Sequence, residues 1–356
     1  MTLFTVGPVE MDPAILEVGR KPLPYFRTAE FSEIMHKLSQ QFLDCLSAGQ
    51  GSQGLFITAS GSGGMEAAVS SVFTQEDKLL VIDGGSFGKR FVQLCEHYRI
   101  PHDVIRLPFE EDLTPEHLEP YRNRNYAGVL VNHHETSIGK LYDLKMLGQF
   151  CREEGAYLIV DAVSSFLSEE IRMADWGVDL VMTASQKCLA CPPGLALVAC
   201  SARLLEERIR TKPGLSYYLS LQAAARDQER GQTPFTPALS IIFQVEKRFE
   251  QIMAKGIEAE YREKADLANY FRPRVEALGY QIPGYKKSNA LTPLLTAPLN
   301  AYNVFLTLKD EDGLVITPNG GEYASSLTRV GHMGYLKETD YDRLLDRMAD
   351  LMSNAK

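Results

Sequence analysis

Between residues 55 and 200 the chain alternates short apolar runs with longer segments whose apolar positions recur at helical spacing. That is the pattern of a parallel sheet with helical crossovers. Strands are expected at 55–58, 78–82, 104–107, 127–132, 157–160, 180–183 and 195–199, and helices at 65–73, 89–98 and 144–154. Polar and Gly-rich residues repeatedly follow the strands, and in open α/β sheets ligands bind at the carboxyl ends of the strands. From 240 to about 278 the pattern turns long and helical, with Val245, Phe249, Ile252 and Met253 at i, i+4, i+7 and i+8. Beyond it, 302–308 and 314–317 read as strands and 340–352 as a closing amphipathic helix carrying Leu344, Leu345, Met348, Leu351 and Met352. A smaller α+β domain is expected from about residue 255 to the end.

Composition adds bounds to this picture. With 356 residues, 45% apolar, 23% charged, 27 Gly and 18 Pro, disorder, collagen and coiled coil are excluded, and at about 150 residues per domain two or three structural units are expected. The 37 Lys and Arg against 46 Asp and Glu give a net charge of −9. No basic run is present, so no nucleic-acid partner is expected. The apolar stretches at 156–160 and 195–200 fall far short of the roughly 20 residues that span a bilayer. The first ten residues lack a basic segment followed by an apolar one, so the cytoplasm is the expected compartment. Six scattered cysteines then point to reduced thiols. Of these, Cys188 and Cys191 alone have ligand-like spacing, which without a second pair is poor evidence for a metal, and none is expected.

Three groups carry candidate chemistry. The first is Ala59-Ser60-Gly61-Ser62-Gly63-Gly64-Met65, a small-residue turn from strand into helix. Free backbone N–H groups and a positive helix end make such a turn a phosphate cradle, and a plain structural turn is the other reading. It lacks both the Walker ending and the spacing of a dinucleotide fingerprint. The second is Asp161, at the end of a very apolar strand, where a carboxylate needs a cation or strong donors, or else serves as a cap. The third is Lys187, in the small polar loop Thr183-Ala184-Ser185-Gln186-Lys187-Cys188, where a perturbed amine becomes a Schiff-base nucleophile; a solvated lysine is the alternative. Cradle, carboxylate and lysine, in that order at strand ends, are what pyridoxal phosphate requires: a phosphate anchor, a partner for the ring nitrogen and an amine.

With these residues in view, the sequence resembles the class V aminotransferases of fold type I. The resemblance runs over nearly the whole chain: Val6-Gly7-Pro8-Val9, Gly61 to Ala67, Gly85-Ser86-Phe87-Gly88, His134-Glu135-Thr136-Ser137-Ile138-Gly139, Asp161-Ala162-Val163-Ser164-Ser165, Ser185-Gln186-Lys187 and Arg329-Val330-Gly331-His332-Met333-Gly334. It implies a large α/β domain with a mostly parallel seven-stranded sheet flanked by helices over 15–254, a smaller α+β domain over 255–356 and an N-terminal arm over 1–14. It also implies roles. Lys187 would bind pyridoxal 5′-phosphate as a Schiff base and shuttle the proton, and Asp161 would pair with the ring nitrogen. Phe87 and Val163 would sandwich the ring. Ser62, Gly63, Gly64 and Gln186 would hold the phosphate, Thr136 would reach the 3′ oxygen, and Thr236 of Thr233-Pro234-Phe235-Thr236-Pro237 would reach the phosphate of the neighbouring subunit, which implies a homodimer with its active site at the interface.

Arg329 would clamp the substrate carboxylate with the planar fork for which Arg is suited. Gly7 and Arg27 would lie near the substrate, Arg27 receiving a second anionic group. His133 and His134 are adjacent and should point to opposite faces of a strand, which argues for structural roles. The implied reaction is a ping-pong transamination between an amino donor resembling alanine, serine or 2-aminoethylphosphonate and a small 2-oxo acid such as pyruvate or glyoxylate. A lyase or decarboxylase, a desulfurase-like enzyme and a noncatalytic scaffold stay open as alternatives. No cysteine follows Cys200, which disfavours sulfur transfer.

Overall fold

Each of the seven apolar runs between residues 53 and 200 forms a strand of one sheet in the computed structural model, which describes residues 1–354. These are β1 (Gln53–Ile57), β2 (Leu79–Asp83), β3 (His102–Arg106), β4 (Gly128–Asn132), β5 (Tyr157–Asp161), β6 (Leu180–Ala184) and β7 (Ala196–Cys200). Their order is β1-β7-β6-β5-β4-β2-β3. All neighbours are parallel except β7, which runs antiparallel to both β1 and β6. Because β7 is the one reversed strand, β1 still points the same way as β6 and β5, so their carboxyl ends share an edge.

Strands β4 to β7 are buried along their whole length, as strands covered on both faces must be. Alternate side chains feed two apolar layers. Leu158, Val160, Leu197 and Ala199 join Phe42, Phe166 and Phe249 on one side, while Tyr157, Ile159, Val198 and Cys200 join Val69, Phe73 and Phe91 on the other.

Helices cross between the strands: α1 (Gly61–Val72), α2 (Ser86–Tyr98) and α3 (Leu144–Glu154). The first two begin three residues earlier or more than the apolar periodicity indicates, since their opening residues are small and polar and carry no periodic signal. Helix α3 starts on Asp143, whose carboxylate accepts from Lys145 N and Met146 N, and stops at Gly155. The long helical stretch is two helices, α4 (Leu239–Lys255) and α5 (Ile257–Ala277). They are separated by Gly256, whose φ of +85° suits glycine.

The C-terminal part differs from expectation. Residues 302–308 lie in a helix, α6 (Ala301–Asp312), and not in a strand. Asn300 caps it, accepting from Tyr302 N and Asn303 N, and its buried residues Ala301, Val304 and Leu308 have helical spacing. A three-stranded antiparallel sheet follows the order β8 (Leu291–Leu295), β10 (Leu327–Gly331), β9 (Thr317–Pro318). With α5, α6 and α7 (Glu338–Asn354) it surrounds a third apolar cluster that includes Phe271, Leu308, Val330, Tyr341 and Met348. Phe4 belongs to the same cluster. Thr2 and Leu3 pair in parallel with Leu314 and Val315, so the start of the chain is stitched into its end.

Candidate active site

The sheet sets Asp161 at the last position of β5, hydrogen-bonded in register beside Met182 of β6. The chain leaves β6 at Ala184 and presents Lys187 three residues on. Asp161 is buried; its Oδ1 accepts from Val163 N at 2.8 Å, and among the described residues no cation forms an ion pair with it. Burial, countered in part by that N–H, brings its carboxyl up to about 6. A buried acid with one backbone donor and no counterion fits a cationic ring nitrogen.

Lys187 is buried, and its amine donates to the carbonyl of Val6. Burial first, and the charge of Arg329 second, bring that amine down to about 8. Gly7 lies directly over it: a Cβ there would stand 2.5 Å from Lys187 Cδ and 3.0 Å from Nζ. The N-terminal arm is therefore a wall of the lysine's channel.

Arg329 sits on β10, the middle strand of the small sheet, and reaches across to the loop that follows β4. Its Nη1 donates to Thr136 O at 3.0 Å and its Nη2 to Pro318 O at 2.8 Å. Its Nε is buried without a partner. Burial lowers the guanidinium to about 10, so it stays charged at neutral pH. Beside it, the Thr136 hydroxyl is 2.6 Å from Ser164 Oγ, which in turn is 2.9 Å from His134 Nδ1. Burial pushes both His133 and His134 down to about 3, making them neutral at physiological pH.

At the cradle, Ser60 is the N-cap of α1, and Val163 closes over Gly61, where a Cβ would meet Val163 Cγ2 at 2.9 Å. The Gly64 N–H closes the first helical turn onto Ser60 O at 3.0 Å, and the Gly63 N–H gives Ser60 Oγ a long bond of 3.3 Å. Gln186 is half-buried, and its Oε1 has no partner. Phe87, half-buried, opens α2. Thus Lys187, Asp161, Val163, Gly7, Thr136, Arg329, Phe87 and the start of α1 converge on one region.

Two expected residues stand apart. Thr236 is exposed on its Pro-flanked loop. Arg27 donates to Gln232 Oε1 and Thr233 O, at the base of that same loop, and lies over the Phe26 ring.

Sequence reasoning passed over Glu135 and Arg90. Glu135 is fully buried, and its carboxylate gathers the N–H groups of Phe87, Gly88 and Ser137, the Ser137 hydroxyl and the Asn132 amide. It is the anion seated on the N-terminus of α2, and it ties Phe87 to the Thr136 loop. An acidic residue three positions beyond the run that ends at Asn132 was the available signal. Arg90 follows Phe87 by three residues on α2, hence on the same face.

Cys188 and Cys191 are buried free thiols, pushed by burial up to about 11 and about 12. Such thiols are poor nucleophiles at neutral pH. Among the described residues no three His, Cys, Asp or Glu are grouped to hold a metal ion, and no helix is long and apolar enough to cross a membrane.

The soluble hydrogenase small subunit of Synechococcus sp. is 29% identical over 349 residues, covering 95% of this chain and 89% of that protein. The L-aspartate–glyoxylate aminotransferase of Paracoccus denitrificans is 25% identical over 346 residues, covering 94% and 87%. The crystal structure of an aspartate aminotransferase from Thermus thermophilus superposes with a TM-score of 0.92 at 27% identity, covering 99% of each chain. The pattern described as aminotransferase class-V matches residues 25–335. The chain therefore belongs to the class-V aminotransferase family.

Proposed function

We propose that the protein uses pyridoxal 5′-phosphate to move an amino group from an α-amino acid or small amine to a small 2-oxo acid such as glyoxylate or pyruvate, working as a homodimer in the cytoplasm. The observation that carries this reading is the buried Lys187 amine, brought down to about 8 between an unpaired buried Asp161 and the Arg329 fork. The glyoxylate in the Paracoccus relative's name supports the acceptor class.

When bound, the cofactor supplies an electron-accepting ring that stabilises charge developing at the substrate Cα. The chain's own residues do the rest. Asp161 holds a carboxylate where the ring nitrogen would lie, its charge undiluted by water. Phe87 and Val163 offer flat and branched surfaces for the two ring faces, and Thr136 offers a hydroxyl. Gln186 and the start of α1 hold the phosphate. Arg329 spends two N–H groups on Thr136 and Pro318 and keeps its others, Nε among them, for a substrate carboxylate. Lys187 would take and return the proton at the substrate Cα; an amine near neutral pKa is suited to both directions.

The dimer rests on surface evidence. Tyr217, Tyr25 and Leu23 are exposed by 85%, 69% and 55%; Tyr217 packs against Phe235 next to Thr236, and Leu23 and Tyr25 shortly precede Arg27. Since Arg27 clamps the base of the Thr236 loop, we place both at the neighbouring subunit's site, Thr236 at the phosphate and Arg27 toward a second substrate anion. Six buried free cysteines suit a reducing compartment. We divide the chain into an arm (1–14), a large domain (15–254) and a small domain (255–356), with the arm's Phe4 buried in the small domain's cluster.

The test is direct. Purified protein supplied with pyridoxal phosphate should turn yellow and form glycine from glyoxylate with at least one amino acid of a donor panel. Lys187→Ala should do neither. A colourless wild-type protein, or glycine formation that survives in Lys187→Ala, overturns the reading.

A further inference from the structure

Of the cradle's N–H groups, that of Gly64 closes the helix and that of Gly63 leans on the Ser60 hydroxyl. Ser62 keeps its N–H, and the end of α1 contributes about half a positive charge. A phosphate monoester carries between about −1.5 and −2 at neutral pH. The start of α1 alone leaves most of that charge uncompensated.

The missing charge stands one helix away. Arg90 Nη1 donates to Ser62 Oγ at 2.8 Å, and its guanidinium lies 4.8 Å from the centre of the Phe87 ring. It is half-buried, and among the described residues no carboxylate pairs with it. Its field reaches the centre of the site, since it counts among the charges that lower both the Lys187 amine and the Asp161 carboxyl. A half-buried arginine without an acid, bonded to the hydroxyl at the phosphate seat and stacked against the proposed ring platform, is arranged for an anion with several oxygens.

Resting on the reading of this cleft as a pyridoxal-phosphate site, we infer that Arg90 is a ligand of the cofactor phosphate, sharing it with Ser62 and the start of α1. The rival role is mechanical: Arg90 serves only to steady Phe87. The two differ in what they ask of the cofactor. A phosphate ligand discriminates pyridoxal phosphate from pyridoxal, which lacks the phosphate; a support for the ring platform affects both alike.

The experiment measures dissociation constants of pyridoxal phosphate and of pyridoxal for the apo-protein, by absorbance and by quenching of intrinsic fluorescence. The proteins are wild type, Arg90→Gln, Arg90→Met and Arg90→Lys. Two neutral variants are used because Met keeps an apolar stem over Phe87 if Gln folds poorly. Loss of a charge-assisted contact predicts a fall of about 10- to 100-fold in affinity for pyridoxal phosphate, with pyridoxal affinity held within about threefold, and Arg90→Lys recovering part of the preference. A phosphate preference unchanged in the neutral variants, or equal losses for both ligands, overturns the assignment while leaving the proposed function standing. Failure of the wild type to bind pyridoxal phosphate removes both.

Discussion

Replacing Gly7 with alanine tests whether the N-terminal arm holds Lys187 in place for the proposed reaction. Two penalties are built into the position. Gly7 has φ of +117°, a region that costs a residue with a side chain about 1–3 kcal/mol. The new Cβ would also stand 2.5 Å from Lys187 Cδ and 2.9 Å from Cε, against an optimum of roughly 3.5–4.0 Å between carbons. The lysine must therefore swing by about 1 Å and give up its bond to Val6 O. Displacement of a reacting group by that much costs on the order of 100-fold in rate, while the backbone penalty lowers Tm by a few degrees. Gly155→Ala separates the two effects, because Gly155 also has positive φ, +72°, but no atom lies within 4 Å of its Cβ. The assay is the single-turnover rate of donor consumption by the cofactor-loaded enzyme, with Tm of each apo-protein alongside. Gly7→Ala should lose both rate and stability, Gly155→Ala stability alone. A Gly7→Ala enzyme with wild-type single-turnover rate would show that the arm does not position Lys187.

Arg329→Met removes the cation that, after burial, does most to lower the Lys187 amine. Without it the protonated amine is less disfavoured, so the pH midpoint for reaction of apo-protein with pyridoxal should rise from about 8 toward the ordinary lysine value; an unmoved midpoint would refute the coupling. Glu135→Gln leaves at least one of the donors from Phe87, Gly88, Ser137 and Asn132 facing an NH₂ group, at roughly 1–3 kcal/mol for each group left unsatisfied. Tm should fall and both pyridoxal phosphate and pyridoxal should bind more weakly, in contrast to the Arg90 variants; unchanged binding of both would separate Glu135 from the Phe87 platform. Phe4→Ala empties a fully buried site beside Tyr341, 5.1 Å between ring centres, and should cost about 3–5 kcal/mol; a denaturation midpoint within error of wild type would show that the arm does not anchor to the C-terminal cluster.

The large sheet was legible because its inner strands β4 to β7 are covered on both faces and so appear as apolar runs, and all seven strands lie within two residues of their expected bounds. The small sheet was not, for local reasons. Strand β8 contains Pro293, which argues against a strand; β8 tolerates it because Pro293 lies on a sheet edge, paired only with Arg329 of β10. Tyr302, Val304, Leu306 and Leu308 alternate like a strand, yet Asn300 caps a helix that buries Val304 and Leu308 one turn apart. The pairing of Thr2 and Leu3 with Leu314 and Val315 joins segments more than 300 residues apart, and no local pattern encodes it. Of the candidate site, the residues that the fold brings together lie inside distinctive motifs. Arg90 escaped notice because a helical arginine ordinarily reads as a solvated one, and Glu135 because its role lies in backbone N–H groups that side-chain patterns do not display.

The charges of the site explain one another. Lys187, Arg90 and Arg329 gather around Asp161 and Glu135 within a chain whose net charge is −9, and burial prevents water from screening them. With no anion bound, the cations oppose one another, and both arginines hold the Lys187 amine toward its neutral form, the form that reacts with a carbonyl. Coupling of this kind is reciprocal. A substrate carboxylate on Arg329 cancels part of the charge that disfavours a proton on Lys187, so the amine regains basicity when substrate occupies the site. On the proposed reaction, that is also when Lys187 must take the proton from Cα. On that proposal the same arginine would both select the carboxylate and match the lysine's protonation to the stage of turnover.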